Sequence, residues 1–462
     1  MVVRKGQELE LEIKKLAFGG KGIAWSEGLT VFVDQTVPGD CVLAKVIKRK
    51  KSYAEARILE FVEFSKDRLN APCPYSGVCG GCKLQFLKYS RQLWYKEQHV
   101  FESLAHIGMQ KDLVVHSSIA SDRIFEYRNK MEFTCSDRRW KLPDEMVQGI
   151  DGKGMAVGLH VPGTFYKVLD IKKCLLQPEL GNQILSTIRE YIKNSAEPIY
   201  NLHNHIGFWR FIMLRHSATK DLWMVNIVTS MKDRKVLQPL ADLLSKTYPT
   251  ISSVVNNITA KKAGVAIGGQ EILLKGEKCI VDCIGPYEFE ISANSFFQTN
   301  THSAVLLYDV VRSYADLNGS EVILDLYCGT GTIAIYLADM ARSVLGIDIV
   351  SDAVADAKRN CHRNQVENCR FICADVKSAL LQLNFRPDVM IIDPPRVGMH
   401  KDVVQLVLEL APPKIVYVSC NPATLARDIA LLKEMYNVVE VQPVDMFPHT
   451  FHIEVVTKLK QK

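Results

Sequence analysis

The chain has 462 residues and a mass of 52.1 kDa, with 47% apolar and 23% charged residues and a net charge of +6. This balance excludes a disordered or fibrous chain, and at roughly 100–200 residues per domain the length calls for more than one domain. No stretch approaches about 18 uninterrupted apolar residues, which argues against a membrane span. The mild basicity is compatible with a nucleic-acid partner without requiring one.

Met1 to Glu10 is polar and holds no apolar signal-peptide core, so a cytoplasmic protein is expected. Thirteen cysteines in such a chain do not read as a disulfide framework. Residues 1–60 read as a small β unit. Leu9, Leu11 and Ile13 alternate with Glu8, Glu10 and Glu12, the period of a half-buried strand. Gly19, Gly20 and Gly22 mark a turn, and Leu29 to Val33 and Cys41 to Ile47 are further strands separated by Pro38-Gly39. The basic run Lys45, Lys48, Arg49, Lys50 and Lys51 is either a solvated strand edge or a phosphate-contacting patch. The stretch from Gly6 through Phe18-Gly19-Gly20-Lys21-Gly22 and Val37-Pro38-Gly39-Asp40 to Tyr53 resembles the TRAM domain. That is a small OB-like RNA-binding barrel, so the resemblance favours the RNA reading.

Residues 61–290 form the expected central domain. Leu93, Val100, Leu104 and Ile107 predict a helix over 92–110, and the segment 92–124 is expected to pack on the catalytic domain. From 127 onward the pattern is strand-rich, with helices near 179–193 and 234–246. Cys73, Cys79 and Cys82, interleaved with Gly77, Gly80 and Gly81, can bring three thiolates onto one centre. Spacing leaves zinc and an iron–sulfur cluster both open, with Cys135, Cys174, Cys279 and Cys283 as candidates for a fourth ligand. His203-Asn204-His205 reads as a surface loop, and Trp209 and Arg210 as packing residues before a strand. Arg128 and Lys130 are candidates for phosphate contact or for salt bridges.

Residues 291–462 alternate strands and helices, the signature of a parallel sheet. The strand Glu321 to Leu326 runs into Tyr327-Cys328-Gly329-Thr330-Gly331 and then a helix, Ile333 to Met340. Gly329, Gly331 and Ala334 formally fit a dinucleotide fingerprint. Asp325, four residues before the first glycine, instead fits S-adenosylmethionine methyltransferases. Asp348 ends a second strand, 17 residues after Gly331, where a carboxylate can hold ribose hydroxyls. Asp375 follows a third strand and suits a contact near an adenine. A fourth strand, Val389 to Ile392, ends in Asp393-Pro394-Pro395-Arg396, a rigid loop on the ligand-binding edge. Lys414 to Val418 ends in Ser419-Cys420-Asn421-Pro422, where a following helix N-terminus near Thr424 can stabilise a thiolate. Glu454 interrupts the β-type run Phe451 to Thr457. It faces water if the strand is an edge, or serves proton transfer if it faces Cys420.

Together Tyr127-Arg128-Asn129-Lys130, Phe297-Gln298-Thr299-Asn300, Asp325 to Gly331, Asp393 to Arg396, Ser419 to Pro422 and Phe447-Pro448-His449 with Glu454 resemble the uracil-C5 RNA methyltransferase family. The resemblance spans nearly the whole chain. It implies a multi-domain α/β architecture: an N-terminal barrel, a central iron–sulfur domain, and a Rossmann-like methyltransferase sheet over 291–462. It implies Cys420 as nucleophile and Glu454 as base, with Gln298, Tyr327, Asp348 and Asp393 around S-adenosylmethionine and the uracil, to which the position of Asp375 adds a cofactor contact. It implies a [4Fe-4S] cluster on Cys73, Cys79, Cys82 and Cys174, although the gap of 91 residues before Cys174 is long and points to an insertion around Asp137 to Gly154. Barrel and cysteines together resemble the 23S ribosomal RNA branch, with transfer RNA as the alternative substrate. A monomer is the default. The competing class is a non-catalytic RNA-binding factor on the same fold, and the intact reactive set argues against it.

Overall fold

The computed structural model describes residues 3–110, 113–164, 166–261 and 268–462. Among these, the strands form one six-stranded sheet, two seven-stranded sheets and a two-stranded hairpin. No helix among them is long and apolar enough to cross a membrane.

The six-stranded sheet spans Glu8–Glu12 to Tyr53–Glu63. Leu11 and Ile13 point into its core with Val31, Val33, Val42 and Val46, as their alternation requires. The sheet curls until Lys14 N donates to Ile23 O, closing most of a small barrel. In the basic run, Lys45 pairs with Glu8 and Lys48 with Glu55, whereas Lys50 and Lys51 stand exposed in the turn before Tyr53.

The helix after the cysteines runs Tyr89–His106, earlier at both ends than the apolar spacing suggests. Its inward face also differs from that reading. Val100 and Leu104 are buried in the catalytic core, but Ile107 is exposed, and Gln92, Lys96 and His99 are buried beside them. A polar buried face is tolerated because each of these side chains finds a partner: Leu84 and Leu87 O in the preceding segment for Gln92, Asp445 for Lys96 and Leu16 O for His99.

The central sheet has the order Gln270–Gly276, Ile251–Ile258, Leu222–Thr229, Trp209–Ser217, Lys130–Arg138, Lys153–His160, Val168–Asp170. Helices Glu179–Asn194 and Arg234–Thr247 cover one face through Ile184, Ile188, Leu240 and Leu244 over Trp209 and Trp223. Trp209 and Arg210 are packing residues, with Arg210 donating to Thr259 O. Residues 139–152 form the connection between two antiparallel strands and carry a short helix, Pro143–Val147. This excursion lengthens the path from Cys82 to Cys174 without moving their ends apart.

The third sheet has the order Cys369–Cys373, Ser343–Asp348, Val322–Leu326, Val389–Ile392, Lys414–Ser419, Glu454–Gln461, Tyr436–Val444. Its first five strands are parallel, and the sequence order reverses at Val322–Leu326, the place where such sheets open a ligand crevice. The helix after the glycine loop is only Thr332–Leu337, continued by a 3₁₀ turn to Met340. The hairpin Cys279–Ile284 and Tyr287–Ser292 bridges the central sheet to helix Thr301–Ala315.

Candidate active site

One cavity of about 1860 Å³ lies between the central and catalytic sheets. Its wall includes the cysteine segment, Arg128, Gln298, the glycine loop, Asp393, Cys420 and Glu454. Gln298, Tyr327, Asp348, Asp375, Asp393, Cys420 and Glu454 therefore line one continuous space with the four cysteines, whereas Asp325 is buried behind it.

The glycine loop is built for a close ligand. Gly331 has φ +76°, and a Cβ there would meet the Phe371 ring at 2.8 Å, so only glycine fits. Asp348 holds the loop, its carboxylate accepting from Gly329 N at 2.9 Å and Val350 N at 2.8 Å. Asp325 is 1% exposed, and neither of its oxygens has a hydrogen-bond partner. Burial, then Asp393 and Asp348, pushes its carboxyl well above the usual range. Tyr327 stands half-buried at φ +64° on the cavity wall, its phenol raised to about 12 by burial. Gln298 is buried in the loop before the Asn300-capped helix, and its carbonyl accepts from Asn129 Nδ2 at 2.8 Å. Asp375 is exposed on the cavity rim and caps helix Val376–Leu380 by accepting from Ser378 N.

Cys420, Glu454 and Asp393 lie together on the same wall. Cys420 follows strand Lys414–Ser419, and helix Pro422–Leu432 begins two residues later with Asn421 as its cap. The thiol is nevertheless not lowered. Burial pushes it to about 11, with Glu454 and Asp393 adding to the rise and Arg396 opposing it. Desolvation and two neighbouring carboxyls outweigh the helix terminus. Glu454 does not lie on an edge: its strand runs between Lys414–Ser419 and Tyr436–Val444. It is buried and faces the cavity, and burial with Asp393 raises its carboxyl well above the ordinary value. Asp393 is crowded by protein on the cavity wall, which lifts it to about 7.

Cys73, Cys79, Cys82 and Cys174 lie near one another on the wall of the same cavity. Burial raises all four thiols, Cys79 to about 11 and Cys82 to about 12, and their charges act on one another. Cys174 arrives because Gly80 N donates to His160 O and Lys172 N to Tyr75 Oη, docking the cysteine loop on the edge of the central sheet. Among the described residues, no three or more His, Cys, Asp or Glu side chains converge as they do around a single metal ion.

The sequence did not single out His452 or Thr450, which line the cavity together with Phe447. His452 is lowered to about 4 by burial and then by Arg396, so it is neutral at physiological pH. The alternation Thr450, His452, Glu454 was a readable signal that these side chains share one side of the chain.

Comparison with known proteins bears on this arrangement. Residues 2–59 match the TRAM domain, and residues 277–462 match the family described as tRNA (Uracil-5-)-methyltransferase. A protein of Bacteroides thetaiotaomicron described as an uncharacterized RNA methyltransferase is 40% identical over 456 residues, covering 96% of this chain and 100% of its own. One from Chlorobaculum tepidum with the same description is 41% identical over 465 residues, covering 98% and 96%. The solved structure of Pyrococcus abyssi tRNA (uracil-54, C5)-methyltransferase with S-adenosyl-L-homocysteine is 29% identical. It superposes with a TM-score of 0.76 over 98% of this chain and 100% of its own.

Proposed function

The chain belongs to the RNA (uracil-5)-methyltransferase family, and from that premise we propose that it moves the methyl group of S-adenosylmethionine to C5 of a uridine in 23S ribosomal RNA, with Cys420 as nucleophile and Glu454 as base. The observation that carries this reading is the meeting of Cys420, Glu454 and Asp393 in the same cavity that the glycine loop lines. The methyl donor is cationic, and Asp348, whose carboxylate accepts from Gly329 N, places an acidic group on that wall.

C5 of uracil is a weak nucleophile. Cys420 adds as thiolate to C6, so that the S–C6 bond forms and the C5=C6 electron pair moves onto O4 as an enolate. C5 then attacks the sulfonium methyl; the C–C bond forms, the S–CH₃ bond breaks and S-adenosylhomocysteine is left neutral. Glu454 takes the C5 proton, the electron pair of that C–H bond restores C5=C6, and the S–C6 bond breaks to release the Cys420 thiolate. Asp393 orients the uracil edge beside them. Arg396, whose charge lowers both Cys420 and Glu454, favours the ionised forms that these steps use. A base within folded RNA has to be splayed out to enter such a cavity.

The iron–sulfur reading is also a proposal. Four half-buried cysteines on the wall of one cavity supply the all-thiolate donor set that a [4Fe-4S] cluster needs. Bound there, such a cluster would tie residues 73–82 to Cys174, and the methyl-transfer steps balance without an electron from it. The ribosomal substrate is supported by the joint presence of barrel and cysteines. The likeness to the Pyrococcus abyssi enzyme favours transfer RNA as the second reading. The test is Glu454→Gln with either RNA: methylated RNA should accumulate as a denaturation-resistant adduct on Cys420, because nothing removes the proton. Normal turnover of that variant would refute the base assignment.

A further inference from the structure

We infer that His449 is a positioning residue, a latch through which the segment after Cys82 holds the turn that leads into Glu454. This rests on the catalytic reading above and adds to it a residue that touches none of the reacting atoms. His449 is buried, yet it adopts φ +66°, a region that favours glycine. Its surroundings over-determine that conformation. The His449 N–H donates to Gln92 Oε1 at 2.9 Å, and Gln92 Nε2 lies 3.2 Å from His449 Nδ1. The His449 carbonyl accepts two backbone N–H groups, from Lys83 and Leu84, both at 2.9 Å. The ring stacks on Phe125 with centroids 4.3 Å apart. Gln92 Nε2 closes the circle by donating to Leu84 O and Leu87 O.

The other side of the same turn leads to the reactive end. Tyr127 Oη donates to Pro448 O at 3.0 Å. Thr450 Oγ1 donates to Phe447 O and accepts from His452 N, two residues before Glu454. Phe447, Thr450 and His452 line the cavity whereas His449 points away from it, so displacement of His449 moves the wall that carries the base. Lys83 and Leu84 directly follow Cys82, so the cysteine segment and the base-bearing strand meet through one carbonyl.

The proposal separates ring from backbone. His449→Gly keeps access to the left-handed conformation and loses the ring contacts. His449→Asn also tolerates that conformation and offers Gln92 a side-chain acceptor. In His449→Gly, S-adenosylmethionine affinity should stay within about twofold, kcat should fall about tenfold or more, and the fraction of enzyme trapped as the methylated RNA adduct should rise, because proton removal becomes slow. His449→Asn should recover most of the loss. In hydrogen–deuterium exchange, His449→Gly should lose protection at Lys83 and Leu84 and at residues 450–454 together. Unchanged adduct and kcat in the folded variant would overturn the proposal, as would loss of protection at only one of the two segments. Parallel loss of cofactor affinity and kcat with no rise in adduct would also overturn it, since that marks general destabilisation. Glu454→Gln run alongside distinguishes the two levels: if it traps adduct, the catalytic reading stands and only the latch is at stake.

Discussion

Lys96 and Asp445 provide the most quantitative handle on how the catalytic turn is held. They are 349 residues apart, their side chains are 1% and 0% exposed, and Nζ lies 2.7 Å from Oδ1. Lys96 also donates to Phe447 O, and Asp445 Oδ1 accepts from Phe447 N. Burial lowers the lysine against the pull of the aspartate. Lys96→Met keeps the side-chain volume but leaves a buried carboxylate uncompensated, which costs about 3–5 kcal/mol. For a unit of 150–250 residues at about 2–4 °C per kcal/mol, the transition that contains the catalytic sheet should fall by roughly 6–20 °C. Without Lys96, the Phe447 N–H and the neighbouring Tyr89 are the groups left to face the charge. The double variant Lys96→Met/Asp445→Asn should recover at least about 2 kcal/mol, because it removes both charges. Differential scanning calorimetry of the three proteins reads both quantities. A shift below about 2 °C in Lys96→Met would show that the pair is not desolvated and would refute the reasoning.

The remaining predictions concern the cavity. Gly331→Ala forces a φ of +76° on alanine and drives its Cβ into Phe371, so cofactor affinity measured by calorimetry should fall at least tenfold while the protein stays folded. Cys420, with its thiol near 11, is almost wholly protonated at pH 7; alkylation followed on its own peptide should rise about tenfold per pH unit from 7 to 10, whereas a thiol near 8.5 would level off above pH 9. Removing the Arg396 charge, in Arg396→Gln, should push the thiol further up and slow that alkylation at every pH in this window. Cys174→Ser should lower the iron and acid-labile sulfide bound per chain after reconstitution; unchanged content would remove Cys174 from the ligand set.

How much of this was legible in the sequence follows from the range of each interaction. The catalytic sheet was readable because its chemistry sits at strand ends: Asp325, Asp348, Asp393 and Cys420 each close an apolar run, and topology brings those ends together. Glu454 was ambiguous because periodicity reports which residues alternate and not how many neighbours a strand has. The final reversal of the chain places Tyr436–Val444 outside it. Helix Tyr89–His106 was misread on its inward face because Gln92, Lys96 and His99 look solvent-facing until partners 83 to 357 positions away are in place. The rise of the Cys420 thiol was hidden for the same reason, since its burial, and then Glu454 and Asp393, come from other parts of the fold. Cys174 lies beyond any local spacing rule, and only the family resemblance pointed to it.

The central claim is tested most directly with ribosomal and transfer RNA transcripts carrying tritium at uracil C5, incubated with the protein and S-adenosylmethionine. The account predicts tritium release to water from the ribosomal transcript, abolished in Cys420→Ala although that variant still binds the cofactor. Methyl incorporation without tritium release, or release that survives Cys420→Ala, would contradict it.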